Sequence, residues 1–148
     1  MPVGLDSNIV CYILDSRYPE HEKLGGFLRS LSPEFVCAVN PTVVHECYHA
    51  LVYGQGWTRQ EAKERLGILL RLPFMEFYNQ TKSTTVLALN LAERYTLGGR
   101  DSLMLANYLA NGAPEVYTHD SGLLTIGHVE WRGSTTRITD PVSQPRQV

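Results

Sequence analysis

The sequence has little lysine, little cysteine and no excess of basic charge. Its 13 basic residues, ten of them arginine, face 15 acidic residues, which gives a formal net charge of -2. A protein that binds nucleic acid by electrostatics alone carries a basic surface, which this balance does not supply. Bound cations or a local group of arginines can still reverse the sign of one site. The composition therefore weakens the case for a nucleic-acid partner without excluding one.

Cysteines and long apolar runs are also scarce. Cys11, Cys37 and Cys47 are odd in number, scattered and set among apolar residues. This pattern gives neither a disulfide framework nor a zinc knuckle, and it is typical of small buried residues in a reducing compartment. No segment approaches the roughly 20 apolar residues of a membrane span, and the start carries no charged leader. We therefore expect a cytoplasmic protein without a membrane segment.

Length and composition indicate a single domain. A chain of 148 residues with 43% hydrophobic content can bury one sizeable core and hardly two. No repeat, linker or low-complexity run divides it. We predict one domain over residues 1–140, followed by a flexible C-terminal tail over residues 141–148.

Short apolar runs alternate with helical patterns along the chain. Strands are predicted at residues 2–5, 34–39, 74–78 and 116–117, with weaker strands at 128–131 and 135–138. Helices are predicted after Asp6, at 20–31, at 41–53, between Thr58 and Leu72, at 79–97, and from Asp101 to Gly112. In the helix at 79–97 the expected buried positions are Val86, Leu87, Leu89, Ala92 and Tyr95. This alternation predicts an α/β three-layer sandwich around a mainly parallel sheet.

Acidic residues stand where these elements begin or end. Asp6 follows the first strand, Asp120 follows the fourth, Asp101 opens a helix and Glu46 lies near the start of another. Parallel strands bring their carboxyl ends to one edge of a sheet, so the four acids can share a pocket there. Taken alone, Asp6 is better explained as a helix N-cap, and Asp120 as part of a turn.

The helix at 41–53 contains a second pattern, His45-Glu46-Cys47-Tyr48-His49, which matches the H-E-x-x-H motif of zinc proteases. His45 and His49 lie opposite the apolar face of this helix, however, and so should face solvent. A zinc protease also needs a third protein ligand, and Val52 stands where the extended motif has glycine. We interpret His45 and His49 as surface residues and keep a zinc peptidase as the weaker alternative.

Four carboxylates in one pocket indicate a metal-dependent reaction. Like charges that lie close together raise one another's pKa and do not all stay ionised without cations. A set of oxygen ligands suits Mg²⁺ or Mn²⁺ rather than zinc. Mg²⁺ commonly binds a few carboxylates together with a substrate phosphate. The pocket therefore predicts phosphodiester hydrolysis assisted by Mg²⁺ or Mn²⁺.

The segments that carry these acids resemble the motifs of the PIN-domain ribonucleases. They are Val3 to Ile9, the helix around Glu46, Gly99 to Ala106, and Tyr117 to Asp120. Among the members of that family, the chain is most similar to the small single-domain toxins of VapBC toxin-antitoxin pairs. The resemblance is specific because four acids recur in the same order between the same kinds of element.

The resemblance implies a fold, an activity and a set of site residues. The fold is PIN-like, and the activity is that of a metal-dependent endoribonuclease acting on single-stranded or loop RNA. Asp6, Glu46, Asp101 and Asp120 correspond to the metal-binding acids of the family. Thr118 corresponds to a small polar residue that helps to organise the site.

Further expectations follow from the same resemblance. Asn8 matches an asparagine that supports the first acid, and the family implies a homodimer and a small cognate antitoxin. His45, His49 and His119 lie outside the family pattern. A non-catalytic RNA-binding or assembly module on the same scaffold is the alternative; a missing acid would favour it, and all four are present.

Overall fold

A computed structural model describes residues 1–143 of the chain. Its strands are β1 (Val3–Leu5), β2 (Cys37–Val39), β3 (Met75–Phe77), β4 (Glu115–Tyr117), β5 (His128–Trp131) and β6 (Ser134–Thr139). They form one six-stranded sheet in the order β3-β2-β1-β4-β6-β5. All neighbouring strands are parallel except β5 and β6, which are antiparallel. The predicted α/β fold with a mainly parallel sheet is confirmed.

Helices connect the strands. They are α1 (Ser7–Leu14), α2 (His21–Leu24), α3 (Pro41–His49), α4 (Arg59–Leu70), α5 (Lys82–Tyr95), α6 (Gly99–Ala110) and α7 (Ser121–Ile126), with a 3-10 turn at Phe27–Ser30 and a π-helical turn at Ala50–Gly54 that continues α3. Right-handed crossovers place α1 to α4 on one face of the sheet and α5 and α6 on the other. Among residues 1–143, no helix is both long and apolar enough to cross a membrane.

The chain changes direction across the sheet at β1, which pairs with β2 on one side and with β4 on the other. In parallel α/β sheets, ligands bind beyond the carboxyl ends of the strands at such a switch point. Asp6 follows β1 directly, and the segment from Thr118 to Asp120 follows β4. The topology therefore brings two of the predicted site segments side by side.

A close contact between β1 and α6 fixes the position of α6. A Cβ atom on Gly4 would lie 2.6 Å from ring carbons of Tyr108, so only glycine fits there. The Tyr108 hydroxyl donates a hydrogen bond to the carbonyl oxygen of Leu5 at 2.6 Å and lies 3.1 Å from that of Ala38. Because α6 carries Asp101 and β1 leads into Asp6, this contact also sets the relation between two of the acids.

Two buried asparagines link α3 to α6. Asn40 caps α3 with its carbonyl oxygen, and its amide donates to the side-chain oxygen of Asn107 at 3.1 Å. The Asn107 amide in turn donates to the backbone carbonyls of Tyr78 and Asn79. Every buried donor of this pair thus has an acceptor, which is what a buried polar network needs in order to be rigid. The helix that carries Glu46 is held against the helix that carries Asp101.

Two predicted helices and one predicted turn differ in the structure. The single helix predicted at 20–31 is wrong: α2 and the 3-10 turn are separate, because Gly25 and Gly26 interrupt them and glycine is a poor helix former. Asp101 does not open its helix, which begins at Gly99 after an N-cap at Gly98 and has Asp101 in its first turn. A short helix, α7, replaces the turn that was predicted after Asp120.

The buried face of α5 also differs from the prediction. Val86 and Leu89 are exposed, whereas Thr84, Ala88 and Leu91 are buried. Apolar residues occur on more than one side of this helix, so periodicity alone does not identify the side that packs. The small residues at 84 and 88 are the ones that allow close approach, and α5 makes its main contacts with α6.

The chain beyond β6 remains attached to the domain through residue 143. Pro141 is buried, the backbone amide of Val142 donates to Asp140 at 2.9 Å, and the Ser143 hydroxyl donates to the same carboxylate at 2.8 Å. The flexible tail predicted for residues 141–148 stays a prediction, and its last part, residues 144–148, lies outside the described residues.

Candidate active site

Asp6 lies at the carboxyl end of β1 and is only 5% exposed. One carboxylate oxygen accepts the amide of Ser7 at 2.7 Å and so caps α1; the other accepts the hydroxyl of Thr118 at 2.8 Å. Burial raises the pKa of Asp6 despite these hydrogen bonds, and the charges of Asp101 and Asp120 raise it further. Asp6 is therefore both a helix cap and a member of an acidic group.

Thr118 is fully buried and joins the ends of β1 and β4. Its hydroxyl donates to Asp6 and accepts the side-chain amide of Asn8 at 3.2 Å and the backbone amide of Asp120 at 3.1 Å. The side-chain oxygen of Asn8 accepts a hydrogen bond from the backbone amide of His119 at 3.3 Å. Through these bonds, one hydroxyl fixes Asp6 and the start of the Asp120 loop together.

Asp120 caps α7. Its Oδ1 accepts the backbone amides of Gly122 at 2.8 Å and Leu123 at 3.2 Å. Asp120 is exposed, and no donor among residues 1–143 forms a hydrogen bond to its Oδ2 atom. One oxygen therefore has a structural role, and the other keeps its lone pairs for a ligand.

Glu46 and Asp101 come from two helices, α3 and α6. Arg100 is the cation that meets Glu46, with 3.6 Å between Nη1 and Oε2, and its side chain is 76% exposed. Within the described chain, no hydrogen bond reaches the carboxylate of Asp101. These residues line a groove of about 400 Å³ together with Gly98 and Gly99.

The electrostatics of these two acids match those of Asp6. Burial raises the pKa of Glu46, the charges of Asp6 and Asp101 raise it further, and Arg100 opposes the rise. Burial likewise raises the pKa of Asp101, to which the charge of Asp120 adds. Each of the four acids thus interacts with at least two of the others, although they are dispersed over more than a hundred residues of sequence.

The donor set fits a hard divalent cation. The available ligand atoms are carboxylate oxygens, and those of Asp101 and one of Asp120 have lone pairs that no described donor uses. Residues 1–143 contain no group of three His, Cys, Asp or Glu side chains arranged as a ready metal site. The structure brings the four predicted acids into electrostatic contact; that they share one cation stays a prediction.

The histidines of the H-E-x-x-H motif lie beside the acidic group. His45 and His49 are exposed, as expected from their position on the helix. With Thr42, Glu46 and Arg100 they line a groove of about 410 Å³. No third described ligand joins the two histidines in a metal site.

Sequence reasoning did not single out Arg100 or the partner of His119. The only local signal for Arg100 is its place beside Asp101 in the first turn of α6. The His119 ring contacts Asp140 with 2.8 Å between Nδ1 and Oδ2. Burial raises the pKa of Asp140, but hydrogen bonds from Ser143 and His119 outweigh burial and lower that pKa. Because this contact joins residues 21 positions apart, no local sequence pattern indicates it.

Comparisons with known proteins agree with this geometry. The PIN domain family model matches residues 3–129. The fold is similar to that of Mycobacterium tuberculosis VapC20, a Sarcin-Ricin loop cleaving toxin, with a TM-score of 0.71 and 16% identity over 88% of this chain and 98% of that one.

Two further solved structures are similar in fold. VapBC2 from Rickettsia felis, bound to a DNA fragment from its promoter, has a TM-score of 0.60 and 18% identity over 85% of this chain and 93% of that one. A toxin-antitoxin complex from Klebsiella pneumoniae has a TM-score of 0.55 and 19% identity over 80% and 87% of the two chains. A search of curated proteins found no match. At these identities the solved structures show the fold, and the family model identifies the chain as a member of the PIN domain family.

Proposed function

We propose that this protein is a metal-dependent endoribonuclease that hydrolyses RNA phosphodiester bonds at Asp6, Glu46, Asp101 and Asp120. The observation that carries the proposal is the convergence of these acids at the switch point of the sheet, with the pKa values of three of them raised. A folded chain gains nothing in stability from such repulsion, and perturbed carboxylates of this kind concentrate at functional sites. Membership in the PIN domain family supports the same activity.

The residues divide into ligands and supports. Asp101, Glu46, Asp6 and the Oδ2 atom of Asp120 would hold Mg²⁺ or Mn²⁺. When bound, such an ion supplies positive charge for the phosphate and lowers the pKa of a water molecule. Thr118 positions Asp6 and the Asp120 loop by hydrogen bonds.

Two more residues of this chain act on the substrate side of the site. Asn8 fixes Thr118 and the backbone at His119. The exposed guanidinium of Arg100 is placed to exchange its long contact with Glu46 for a phosphate group, two oxygens of which a guanidinium binds with parallel hydrogen bonds.

We further propose that the protein is the toxin of a toxin-antitoxin pair. Similar solved structures include a toxin that cleaves the Sarcin-Ricin loop and two toxin-antitoxin assemblies. The corresponding expectations are an RNA loop as substrate, a small cognate antitoxin as inhibitor, and action in the cytoplasm. Induced expression should arrest growth, and co-expression of a cognate antitoxin should restore it. A chain that cleaves RNA in vitro but leaves growth unchanged is instead a processing nuclease.

The homodimer implied by family resemblance is also a proposal. The exposed apolar residues Val86 and Leu89 of α5 offer a place to test it. Sedimentation should give twice the mass of the chain for the wild type, and Leu89→Lys should shift the mass toward that of the monomer if α5 lies in the interface.

The nuclease is tested with a mixed pool of structured and single-stranded RNAs. Cleavage should be absent in EDTA, return with Mg²⁺ or Mn²⁺, and vanish in Asp101→Asn. Glu93→Gln is the matched control, because it makes the same chemical change at an exposed position of α5. Full cleavage by Asp101→Asn would show that the four-acid site is wrong. Absence of cleavage by the wild type with either metal would favour a non-catalytic RNA-binding module.

A further inference from the structure

The exposed side of α3 carries a second group of side chains that leads away from the acids. His45 and His49 are one turn apart, Tyr53 follows one turn later in the π-helical segment, and Arg59 opens α4. Tyr53 is 61% exposed, which is unusual for a large aromatic residue. We refer to His45, His49, Tyr53 and Arg59 as the α3 strip.

Side chains of the α3 strip are already stacked on one another. The rings of His49 and Tyr53 lie 4.8 Å apart between centroids, at an interplanar angle of 33°. The Arg59 guanidinium lies 5.7 Å from the centre of the Tyr53 ring, and its Nη2 donates a hydrogen bond to the tyrosine hydroxyl at 3.0 Å. Exposed aromatic rings with an adjacent guanidinium are the features on which unpaired nucleic-acid bases stack.

The strip is continuous with the candidate active site. The groove lined by Thr42, His45 and His49 also contains Glu46 and Arg100, and those two residues line the groove at Asp101 as well. The inner end of the strip thus begins at the acids, and its outer end lies at Arg59.

The strip itself carries no acidic residue. The chain as a whole carries a formal net charge of -2, yet Glu46 is the only acid among the residues that line the groove beside His45 and His49. Arg100 stands at one end of this path and Arg59 at the other. A polyanion that leaves the acidic site therefore meets cations and rings in this direction.

We propose that the α3 strip binds unpaired bases of the RNA on one side of the scissile phosphate. This inference rests on the proposed nuclease function and adds the path that the substrate follows. From Glu46 to Tyr53 the helix rises by about 10 Å, which is room for about three stacked nucleotides at ~3.4 Å each. Paired RNA hides its bases, so the strip selects single strands or loops.

The experiment compares Tyr53→Ala with the wild type on an RNA whose cleavage position is known. We expect KM to rise about tenfold, within the range measured for the loss of one stacked base, while kcat changes by less than about twofold, because the reacting groups are untouched. Tyr53→Phe keeps the ring and removes only the hydroxyl that Arg59 contacts. This variant should keep KM near the wild-type value.

Shortening the RNA separates binding from a structural effect. Three nucleotides are removed from one end, and separately from the other. Trimming the end that contacts the strip should raise the KM of the wild type about tenfold. It should also remove the difference in KM between the wild type and Tyr53→Ala, because both changes delete the same contact. Trimming the other side should leave the tenfold difference intact. If the KM of Tyr53→Ala exceeded that of the wild type equally on every RNA, or on none of them, the inference would be overturned.

Failure of the nuclease proposal gives a different result. If the wild type cleaves no RNA with either metal, binding of a fluorescein-labelled unstructured oligonucleotide is measured by anisotropy in EDTA. About tenfold weaker binding by Tyr53→Ala would support the strip even then. Equal binding by the two proteins would overturn it, as would a loss of antitoxin inhibition without any change in RNA binding or cleavage.

Discussion

Two buried aspartates at the two ends of α1 differ in their surroundings. Asp6 is 5% exposed and Asp15 is 4% exposed. Burial raises the pKa of both, but around Asp15 hydrogen bonds from Arg17, Trp57 and Gln55 outweigh it and hold the pKa well below its usual value. The pKa of Asp6 stays raised because burial outweighs its two hydrogen bonds, and the charges of Asp101 and Asp120 add to the rise.

The comparison separates a structural acid from a candidate functional acid. The donors to Asp15 come from the turn after α1 and from the segment between α3 and α4, so its charge holds two loops together. The group around Asp6 has charge that the protein leaves uncompensated. Both acids are shielded from solvent, so what separates them is the set of hydrogen-bond donors and charges around each carboxylate.

The largest expected effect is the loss of activity without loss of stability at a site acid. Asp120→Asn keeps the cap of α7, because asparagine caps a helix as well as aspartate, but removes the charge. We expect RNA cleavage to fall by about 10²–10³-fold, with the free energy of unfolding unchanged within about 0.5 kcal/mol. Cleavage assays and urea denaturation measure the two quantities. Asp120→Ala, which also loses the cap, should cost about 1 kcal/mol in addition.

Asp15→Ala should show the opposite behaviour. It leaves the partly buried donors of Trp57 and Gln55 without their acceptor and should lower the free energy of unfolding by about 3 kcal/mol. Cleavage per folded molecule should stay near the wild-type value. Arg17→Ala removes only the exposed partner and should lower the free energy of unfolding far less than Asp15→Ala does. A loss of cleavage in Asp15→Ala that exceeds its unfolded fraction would break the comparison.

A divalent ion should stabilise the fold through the acidic group around Asp6 and not through Asp15. At 100 times its dissociation constant, Mn²⁺ is expected to raise the free energy of unfolding by about 2.7 kcal/mol. Thermal melts with and without Mn²⁺ should show this gain in the wild type and in Asp15→Ala. The gain should be absent in Asp101→Asn, and an equal gain there would place the ion elsewhere.

The dependence of stability on pH should carry opposite signs for the two acids. The pKa of Asp15 is lowered on folding, so its stabilisation is present above the ordinary value of 3.8 and is lost as the pH falls through the folded pKa. The pKa values of Asp6 and Asp101 are raised, so the folded state holds more protons just above pH 3.8. Their contribution to stability therefore falls as the pH rises through the raised values.

Denaturation at several pH values checks these signs without metal. Between about pH 4 and pH 7, Asp101→Asn should lose less stability with rising pH than the wild type, because it lacks the carboxyl whose pKa is raised on folding. As the pH falls below that range, Asp15→Ala should lose less stability than the wild type. Parallel curves for all three proteins would contradict the electrostatic contrast.

Local sequence patterns predicted the positions of the site acids because strand ends and helix starts are local features. Asp6 and Asp120 follow short apolar strands, and a parallel sheet brings such ends together whatever the details of packing. The pattern did not predict the donors to Asp15, because Trp57 lies 42 positions away in the sequence. It also misplaced the buried face of α5, since only packing against α6 decides which apolar side is covered.

The pairing of β1 with β4 makes the candidate four-acid group one of the last features to form during synthesis. Asp6 and Asp120 are 114 positions apart, so at roughly 5–20 residues per second a ribosome needs about 6 to 23 seconds to make the second after the first. Throughout that interval the nascent chain lacks the complete group of four acids. A premature stop codon anywhere before β4 therefore yields a product without the four-acid group, however well its first helices fold.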